Sequence, residues 1–299
     1  MAVQTNAAAP FWRERPSVLS QSLKLAILVV VVVVMVFPFW YVLSVSLSSE
    51  RDLQGANISL FPLHPTLLAY QTILQGGVVF NALLVSVGVT VIGTFACMVM
   101  TTTLAYGLSR TNDVPGSRFV LFLVLGTLLF NAGIIPNYLL VRFLGMLNTY
   151  PALIVPGLIS AFNLIVVRQF FMNIPADLTD AAMMDGANPF QIFWRIMLPL
   201  SKAVLAVVAL FYGVALWSDY FQPLLYISNT AMWPIPLVLR LYVLQGQALS
   251  GAQQVGQPLP PATTVQMAVV VIATVPILVV YPFLQRYFTQ GVLAGAIKG

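Results

Sequence analysis

The sequence predicts an all-α protein that crosses a membrane several times. Three observations carry this prediction: apolar residues make up 60% of the 299, charged residues only 7%, and the mean hydropathy is +0.93. Soluble domains carry about a quarter charged residues, so this chain is too apolar to keep a solvated surface. A bilayer core of about 30 Å needs roughly 20 apolar residues per helix. Six stretches of the sequence meet that requirement.

The six predicted transmembrane helices account for most of the chain. The first contains six consecutive valines and is longer than a signal-peptide core, so we interpret it as a retained anchor. Gly133 with Pro136, and Pro276, are predicted to let the third and sixth helices bend. The spans cover residues 23–46, 80–108, 119–141, 152–171, 199–227 and 265–287. The organisation is therefore a tail of residues 1–22, a transmembrane domain of residues 23–288 and a tail of residues 289–299.

The distribution of basic residues predicts the orientation in the membrane. Cytoplasmic loops retain an excess of lysine and arginine. With the N-terminus inside, only Arg51, Arg142 and Arg240 of the 13 basic residues fall outside. Both termini and residues 173–198 are therefore predicted to be cytoplasmic. Residues 48–79 and 228–264 form the larger outer segments, and the second is rich in Pro, Gly and Gln, which favours an exposed loop over a buried helix.

Residues 173–198, hereafter loop 173–198, carry the signals of two short helices joined by a sharp turn. Pro175 suits a first helical position, and Gly186 suits the left-handed conformation that ends a helix. Asn188 is a candidate N-cap, with Pro189 in the next position. In the second helix an apolar face is predicted from the i, i+3, i+4, i+7 spacing of Phe190, Phe193, Trp194 and Met197. Such a face at a membrane end indicates a protein partner.

Several catalytic chemistries are excluded by the composition. Phosphate binding by a P-loop needs a Gly-Lys-Ser/Thr sequence, and none of Lys24, Lys202 and Lys298 has that context. His64 is the only histidine, so neither a paired metal site nor a base for a serine or cysteine nucleophile is predicted. The basic residues are scattered rather than clustered, which argues against nucleic-acid binding. We expect no enzymatic activity and no cofactor or metal in this chain.

Polar and aromatic residues inside the predicted spans are candidates for a solute path. Each polar side chain there is costly against lipid and therefore has a reason to be present. Aromatic faces with hydroxyl-directed hydrogen bonds are typical of sugar sites. Alternatively, such asparagines join helices to each other and such aromatics form an interfacial belt. The candidate residues are Asn131, Asn163, Trp217, Asp219, Tyr220 and Gln222.

The segment D-A-A-M-M-D-G-A, followed by N-P-F-Q-I-F-W-R-I-M-L-P, resembles the cytoplasmic E-A-A loop of bacterial ABC importer permeases. Asp180 stands where that family usually has glutamate. The stretches ALWSDYFQPLLY and RYFTQGVLAGAIKG resemble the sugar-importing branch, in particular its oligosaccharide and polysaccharide members. The resemblance covers nearly the whole chain and implies the type I importer permease fold with coupling helices.

What the resemblance implies for loop 173–198 is docking into a groove of an ATPase subunit. Ala181 and Ala182 would permit close backbone approach, and Phe190, Phe193 and Trp194 would anchor the loop. The resemblance also implies that the last residues, 291–299, reach the ATPase. The alternative for loop 173–198 is that it packs only under the helices of its own chain. The implied coupling residues are Asp180, Ala181, Ala182, Asp185, Gly186, Ala187, Phe190, Phe193, Trp194, Ile196, Leu198 and Pro199.

The resemblance further implies an importer that works by alternating access in the bacterial inner membrane. Its expected partners are a second homologous permease forming a heterodimer, two cytoplasmic ATPase subunits that bind ATP and Mg, an extracytoplasmic solute-binding protein, and membrane lipid. Two alternatives stay open: a permease for a non-sugar solute, and an ion-coupled secondary transporter. The latter typically shows internal repeats, and residues 1–150 do not resemble residues 151–299.

Overall fold

Helices make up all the regular structure of the part of the chain that can be described, with no β-strand in that part. The structure is a computed structural model, and it describes residues 18–53, 60–74, 77–110, 114–245 and 262–296. The predicted all-α class is confirmed. The predicted tail 1–22 lies mostly outside the described residues, as do the three final residues of the predicted tail 289–299.

The helices follow one another with short connections. The helices before loop 173–198 are α1 (Val18–Ser46), α2 (Glu50–Leu53), α3 (Leu68–Leu74), α4 (Val78–Ser109), α5 (Ser117–Leu129), α6 (Ile134–Phe143), α7 (Pro151–Ile154) and α8 (Ala161–Met172), with a 3-10 turn at Val155–Gly157. The later helices are α9 (Ala176–Met184), α10 (Pro189–Ile192), α11 (Leu198–Leu200), α12 (Lys202–Ser218), α13 (Phe221–Tyr226), α14 (Ile235–Gln245) and α15 (Ala262–Ala296). A π-helix at Phe193–Met197 joins α10 to α11, and a 3-10 turn at Thr230–Met232 precedes α14.

Two continuous helices of the described part, α1 and α4, are long and apolar enough to cross a membrane. Two further crossings are possible as bent pairs: α7 with α8, at 53°, and the helix through α10 and α11 with α12, at 83°. The helices α5 and α6 and the stretch Thr263–Val279 of α15 are apolar but shorter. Spanning helices are therefore present, while the total of six spans stays a prediction.

The predicted third span, residues 119–141, is broken at Gly133, one of the two residues predicted to let it bend. The chain leaves the helix between α5 and α6, where Gly133 has a φ of 81°. The side chain of Asn131 stabilises the break, because its Oδ1 accepts a hydrogen bond from the Gly133 N–H at 2.9 Å. Pro136 lies in the first turn of α6, where its missing N–H leaves no helical bond unmade. The bend therefore results from residues 131–133, not from Pro136.

The predicted fourth and fifth spans are also interrupted. The fourth breaks before α8, whose first turn is capped by the Ser160 hydroxyl, which accepts from the Asn163 N–H at 3.4 Å. The fifth predicted span, residues 199–227, bends after α11 at Ser201, and its helix α12 ends at Ser218. Pro276, predicted to bend the sixth span, lies inside α15, and the helix continues through it.

The prediction that residues 228–264 form only an exposed loop is wrong for the described part. Residues 235–245 form α14, in which Ile235, Leu237 and Val238 are fully buried. The composition of residues 228–264 does not reveal the apolar run of α14, because Pro, Gly and Gln dominate the stretch that follows it. That following stretch, residues 246–261, lies outside the described residues.

The helix α4 is the centre of the packing. It lies against α8 and α12 and forms a buried core with loop 173–198 that includes Leu164, Phe171, Ile192 and Phe193. In the first half of α4, Ser86 accepts a hydrogen bond from the Ile235 N–H of α14 at 2.8 Å. In contrast, the apolar stretch of α1 is exposed along its length. Such a face is suited to lipid or to a partner's helices.

Candidate functional site

The turn at the centre of loop 173–198 is built by Gly186. Its φ of 82° is in the left-handed region, which only glycine adopts at no steric cost. Two backbone hydrogen bonds close the end of α9: the Ala187 N–H donates to Ala182 O at 2.9 Å, and the Gly186 N–H donates to Met183 O at 3.0 Å. This pattern is the Schellman motif. The predicted helix end at Gly186 is confirmed.

The second helix of the loop begins with a capping box. The Asn188 side chain accepts from the Gln191 N–H at 2.8 Å, and the Gln191 side chain accepts from the Asn188 N–H at 2.9 Å. Pro189 occupies the first helical position, as predicted. These bonds satisfy backbone donors at a helix start, so the loop keeps one local shape. Pro175 lies just before α9 rather than in its first position.

The predicted single apolar face of the second helix is wrong, because the structure divides it. Phe193 and Met197 are buried in the core of the same chain, at 5% and 4% exposure. Phe190 and Trp194 are 68% and 55% exposed, with their ring centroids 6.1 Å apart. The spacing gives the relative angles of the four side chains, but the neighbouring α4 and α8 cover only one of the two i, i+4 rows. Phe193 is therefore not available as an anchor for a partner.

The remaining predicted coupling residues take positions between the core and the surface. Those that pack against the core are partly buried, and the others are open to a partner. The partly buried ones are Ala182, Ala187, Ile196 and Leu198, and the exposed ones are Asp180, Ala181, Asp185, Gly186 and Pro199. Their assignment to coupling stays a prediction.

A cavity of about 280 Å³ lies where loop 173–198 meets the end of α4. Asp180 and Arg110 both line it, together with the polar Ser109 and Thr179 and the apolar Met183. Within the described part, no ion pair joins Asp180 to Arg110. The cavity therefore offers an anionic, a cationic and a neutral polar group to a side chain of a partner.

Tyr106 is a contact of loop 173–198 that the sequence analysis did not identify. Its hydroxyl donates a hydrogen bond to the Pro189 carbonyl oxygen at 3.0 Å. A second bond ties the neighbouring helix ends, because Arg168 Nε donates to Leu108 O at 2.9 Å. The sequence did contain one signal for this contact, a tyrosine in the last turn of an apolar helix. A partly buried tyrosine hydroxyl usually has a hydrogen-bond partner. Its partner is 83 residues away in sequence, so spacing could not reveal it.

The structure explains Asp219 as a helix cap. The sequence placed it inside the fifth span, but it lies in the break between α12 and α13, where its Oδ1 accepts from the N–H groups of Phe221 at 2.9 Å and Gln222 at 3.2 Å. The Arg240 guanidinium lies 4.3 Å from the centre of the Tyr220 ring. Gln222 has a buried Oε1 without a partner among the described residues. Of these three candidate path residues, Tyr220 therefore contacts a cationic side chain.

The other three path candidates lie on different elements. Trp217 is buried, and its Nε1–H donates to Ala273 O at 3.1 Å, which joins α12 to α15. Asn163 is buried on α8, and Asn131 is exposed in the break before α6. The structure therefore groups residues 219, 220 and 222 and does not show the six as one surface. Their role as path residues stays a prediction.

His64 contacts a carboxylate rather than a set of metal ligands. Its ring lies 3.0 Å from Asp52, Nδ1 to Oδ1, in the segment between α2 and α3. The hydrogen bond from the His64 ring is the main reason that the pKa of the Asp52 carboxyl is lowered to about 2. In the described ranges, no three His, Cys, Asp or Glu side chains are grouped closely enough to hold a metal ion.

The break in the fourth span is held by a buried tyrosine. The Tyr212 hydroxyl of α12 lies 2.7 Å from Thr101 Oγ1 of α4 and accepts from the Ser160 N–H at 2.9 Å. Tyr212 is 5% exposed and Thr101 is fully buried. One hydroxyl therefore joins three elements of the membrane domain, and it satisfies a backbone donor that the break leaves free.

We expect Tyr212→Phe to destabilise the protein without changing its partners. The variant leaves the Ser160 N–H without an acceptor in an apolar region, which costs about 1–3 kcal/mol. The measurement is thermal unfolding of the purified protein in detergent, with Tyr150→Phe, on an exposed residue, as the matched control. Equal unfolding temperatures for the two variants would contradict a stabilising role of the Tyr212 hydroxyl.

Comparison with known proteins gives a consistent set of similarities. No family model matches the sequence. The chain is 43% identical over 265 residues to the polygalacturonan/rhamnogalacturonan transport system permease protein YtcP of Bacillus subtilis, covering 88% of this chain and 92% of that protein. It is 29% identical over 216 residues to the arabinooligosaccharides transport system permease protein AraQ of Halalkalibacterium halodurans, covering 72% of each. Among solved structures, a bacterial ABC transporter involved in the import of the acidic polysaccharide alginate matches with a TM-score of 0.86 and 28% identity, covering 94% of this chain and 100% of that chain.

Proposed function

The chain belongs to the permease subunits of binding-protein-dependent ABC importers for saccharides, and from this membership we propose that loop 173–198 couples it to a partner ATPase. It is a transport subunit and not an enzyme. In the proposal, closure of the ATPase subunits on ATP moves loop 173–198, and the loop passes this movement to the membrane helices. The saccharide path then opens alternately to the two sides of the membrane.

The observation that carries the proposal is the pair of exposed aromatic rings on an otherwise fixed loop. Phe190 and Trp194 project from a helix whose opposite side, through Ile192 and Phe193, is buried in the chain's own core. Met184, on α9 of the same loop, is 89% exposed. Large apolar side chains grouped at the surface indicate a protein interface, and aromatic residues commonly dominate the affinity there.

The cavity between loop 173–198 and the end of α4 is the proposed polar part of the interface. We assign Asp180 to the site that the family's glutamate occupies, facing the ATPase. Its carboxylate lines the cavity with Arg110, so a basic residue of the ATPase would pair with Asp180 while a polar one would reach Ser109. The shorter side chain of Asp180 keeps the charge and draws the pair closer to the backbone.

The proposed orientation places loop 173–198 in the cytoplasm with both termini. The Arg168 bond to Leu108 O and the Tyr106 bond to Pro189 O support it, because they bring the ends of α4 and α8 and the loop together. Arg110, Arg168 and Arg195 belong to these segments, and an excess of basic residues is typical of the cytoplasmic side. The membrane is the bacterial inner membrane.

We assign the assembly as two different permeases, two ATPase subunits that bind ATP and Mg, and one extracytoplasmic binding protein. The exposed apolar face of α1 supports a second permease or lipid beside it. The outer segments 48–79 and 228–264 are the proposed contact for the binding protein, with the predicted tail 291–299 near the ATPase. The side chains of that tail and the backbone of residues 246–261 lie outside the described residues.

The proposed substrate is an oligosaccharide that contains uronic acids. The similarity to the polygalacturonan/rhamnogalacturonan permease and to the alginate transporter supports an acidic sugar. Arg240 supports it independently, because it stacks on Tyr220 and no carboxylate among the described residues pairs with it. A guanidinium binds a carboxylate with two parallel hydrogen bonds, and the Tyr220 ring offers an apolar surface to a sugar.

The test is to purify the tagged wild-type chain with the products of its neighbouring genes and reconstitute the complex in liposomes. We expect the ATPase to co-purify, its hydrolysis to depend on this chain, and ATP to drive uptake of oligogalacturonides in preference to neutral arabino-oligosaccharides. A chain that purifies alone, or uptake that continues without ATP, would contradict the coupling proposal. Preferred uptake of the neutral sugar would contradict only the proposed charge of the substrate.

A further inference from the structure

We propose that Tyr106 is a positioning residue that transmits movement of loop 173–198 to the membrane helix α4. This inference rests on the proposed function of the loop and names the residue through which it acts. The link is the hydrogen bond from the Tyr106 hydroxyl to the Pro189 carbonyl oxygen, at 3.0 Å. It joins the last turn of α4 to the first residue of the helix that carries Phe190 and Trp194.

The Tyr106 ring is held on several sides, which fixes the direction of its hydroxyl. The Phe193 ring lies 5.1 Å away and the Phe171 ring lies 6.4 Å away, centroid to centroid, the latter in an edge-to-face arrangement. The Arg110 guanidinium lies 4.9 Å from the centre of the Tyr106 ring. Tyr106 therefore contacts α8 and the π-helix while its hydroxyl reaches α10.

Pro189 directly precedes Phe190, so a force that a partner applies to the exposed rings would act on the Pro189 backbone. Its carbonyl also accepts the helical bond from the Phe193 N–H, so the oxygen serves Tyr106 and the helix together. The capping box of Asn188 and Gln191 makes the start of this helix one rigid unit. Displacement of Phe190 and Trp194 by a partner therefore displaces the oxygen that Tyr106 binds.

The helix α4 is suited to carry the movement across the membrane. Thr101, five residues before Tyr106, bonds to Tyr212 of α12, and Ser86, twenty residues before Tyr106, accepts a hydrogen bond from the N–H of Ile235 on α14. The distance along the helix from Ser86 to Tyr106 is about 30 Å at 1.5 Å per residue, close to the thickness of the bilayer core. Movement at Tyr106 would reach α12 and then α14, which carries Arg240.

The experiment compares Tyr106→Phe with the wild type in the liposome complex described above. The variant keeps the ring and its contacts and removes only the hydroxyl. We expect basal ATP hydrolysis and the unfolding temperature to be retained and ATP-driven uptake of the oligosaccharide probes to fall about fivefold, the effect of one ordinary hydrogen bond. The matched control is Tyr138→Phe, a tyrosine whose ring stacks on Tyr226, away from loop 173–198.

Three results would overturn the inference and leave the proposed function intact. Uptake by Tyr106→Phe at the wild-type rate would show that the bond does not transmit movement. An equal loss in Tyr138→Phe would show that the effect is not specific to the loop. A loss of assembly or a lower unfolding temperature in Tyr106→Phe, in proportion to the lost uptake, would show a purely structural role. Failure of the wild-type complex to couple ATP to uptake would instead contradict the proposed function, and the inference with it.

Discussion

Gly186→Val is expected to abolish ATP hydrolysis that depends on this chain. Gly186 has a φ of 82°, and an added Cβ would meet no atom within 4 Å. The cost is therefore conformational and not a clash with neighbours. A residue with a side chain pays about 1–2 kcal/mol in the left-handed region, and a β-branched one pays more, so the native turn loses about tenfold or more of its population. The two helices of loop 173–198 would then no longer hold their angle.

A graded series at Gly186 distinguishes backbone strain from a general effect of mutation. Asn adopts the left-handed conformation more readily than Val, so Gly186→Asn should retain much of the hydrolysis rate. The matched control is Gly126→Val, on a helical glycine of α5 that also has no atom within 4 Å of an added Cβ. The measurement is the hydrolysis rate of the complex in liposomes. Normal assembly and hydrolysis by Gly186→Val would contradict the coupling role of the loop.

The turn of loop 173–198 was predictable from sequence because its causes are local. Gly186 ends α9 and Asn188 with Gln191 starts α10 through bonds that join residues at most five positions apart. Such signals act through the backbone and do not depend on the surrounding fold. The helical class was predictable for a related reason, since apolar composition and segment length follow directly from the bilayer as solvent.

The contacts that decide what the loop presents to a partner were not predictable. Periodicity gave Phe190, Phe193, Trp194 and Met197 as one face, but it cannot say where α4 and α8 lie around that helix. The position predicted for Asp219, inside a helical span, was wrong for a similar reason. Hydropathy over a window placed its carboxylate within a span, whereas the chain leaves the helix there and uses the carboxylate as a cap. Both errors concern tertiary position, which a single sequence records only indirectly.

The division of that face gives two variants with opposite expected results. Phe193 lies in the core at 5% exposure, so Phe193→Ala leaves a cavity and costs about 3–5 kcal/mol of stability. Phe190 and Trp194 contribute little to that core, because most of each side chain is exposed. Loop 173–198 thus carries one aromatic side chain that stabilises the fold and two that are available to a partner. Truncation of the first should lower the unfolding temperature, and truncation of the other two should weaken binding of the ATPase.

We expect Phe190→Ala with Trp194→Ala to prevent stable association with the ATPase while the permease stays folded. Truncation of a buried aromatic anchor commonly costs about 2 kcal/mol or more, so two together weaken binding by roughly two to three orders of magnitude. The measurement is the amount of ATPase retained on the tagged permease, beside the unfolding temperature of the permease alone. Phe193→Ala should show the reverse, a lower unfolding temperature even before any partner is added.

The matched control is the double variant Phe95→Ala with Phe122→Ala, two phenylalanines that are each 71% exposed on α4 and α5. They lie on apolar helices and not on loop 173–198, so the ATPase should be retained. If the Phe190 and Trp194 variant also retained the ATPase, the docking surface would lie elsewhere. If the Phe190 and Trp194 double variant lowered the unfolding temperature as much as Phe193→Ala, the two rings would stabilise the fold. The exposed row of the helix would then not be a separate surface for the partner.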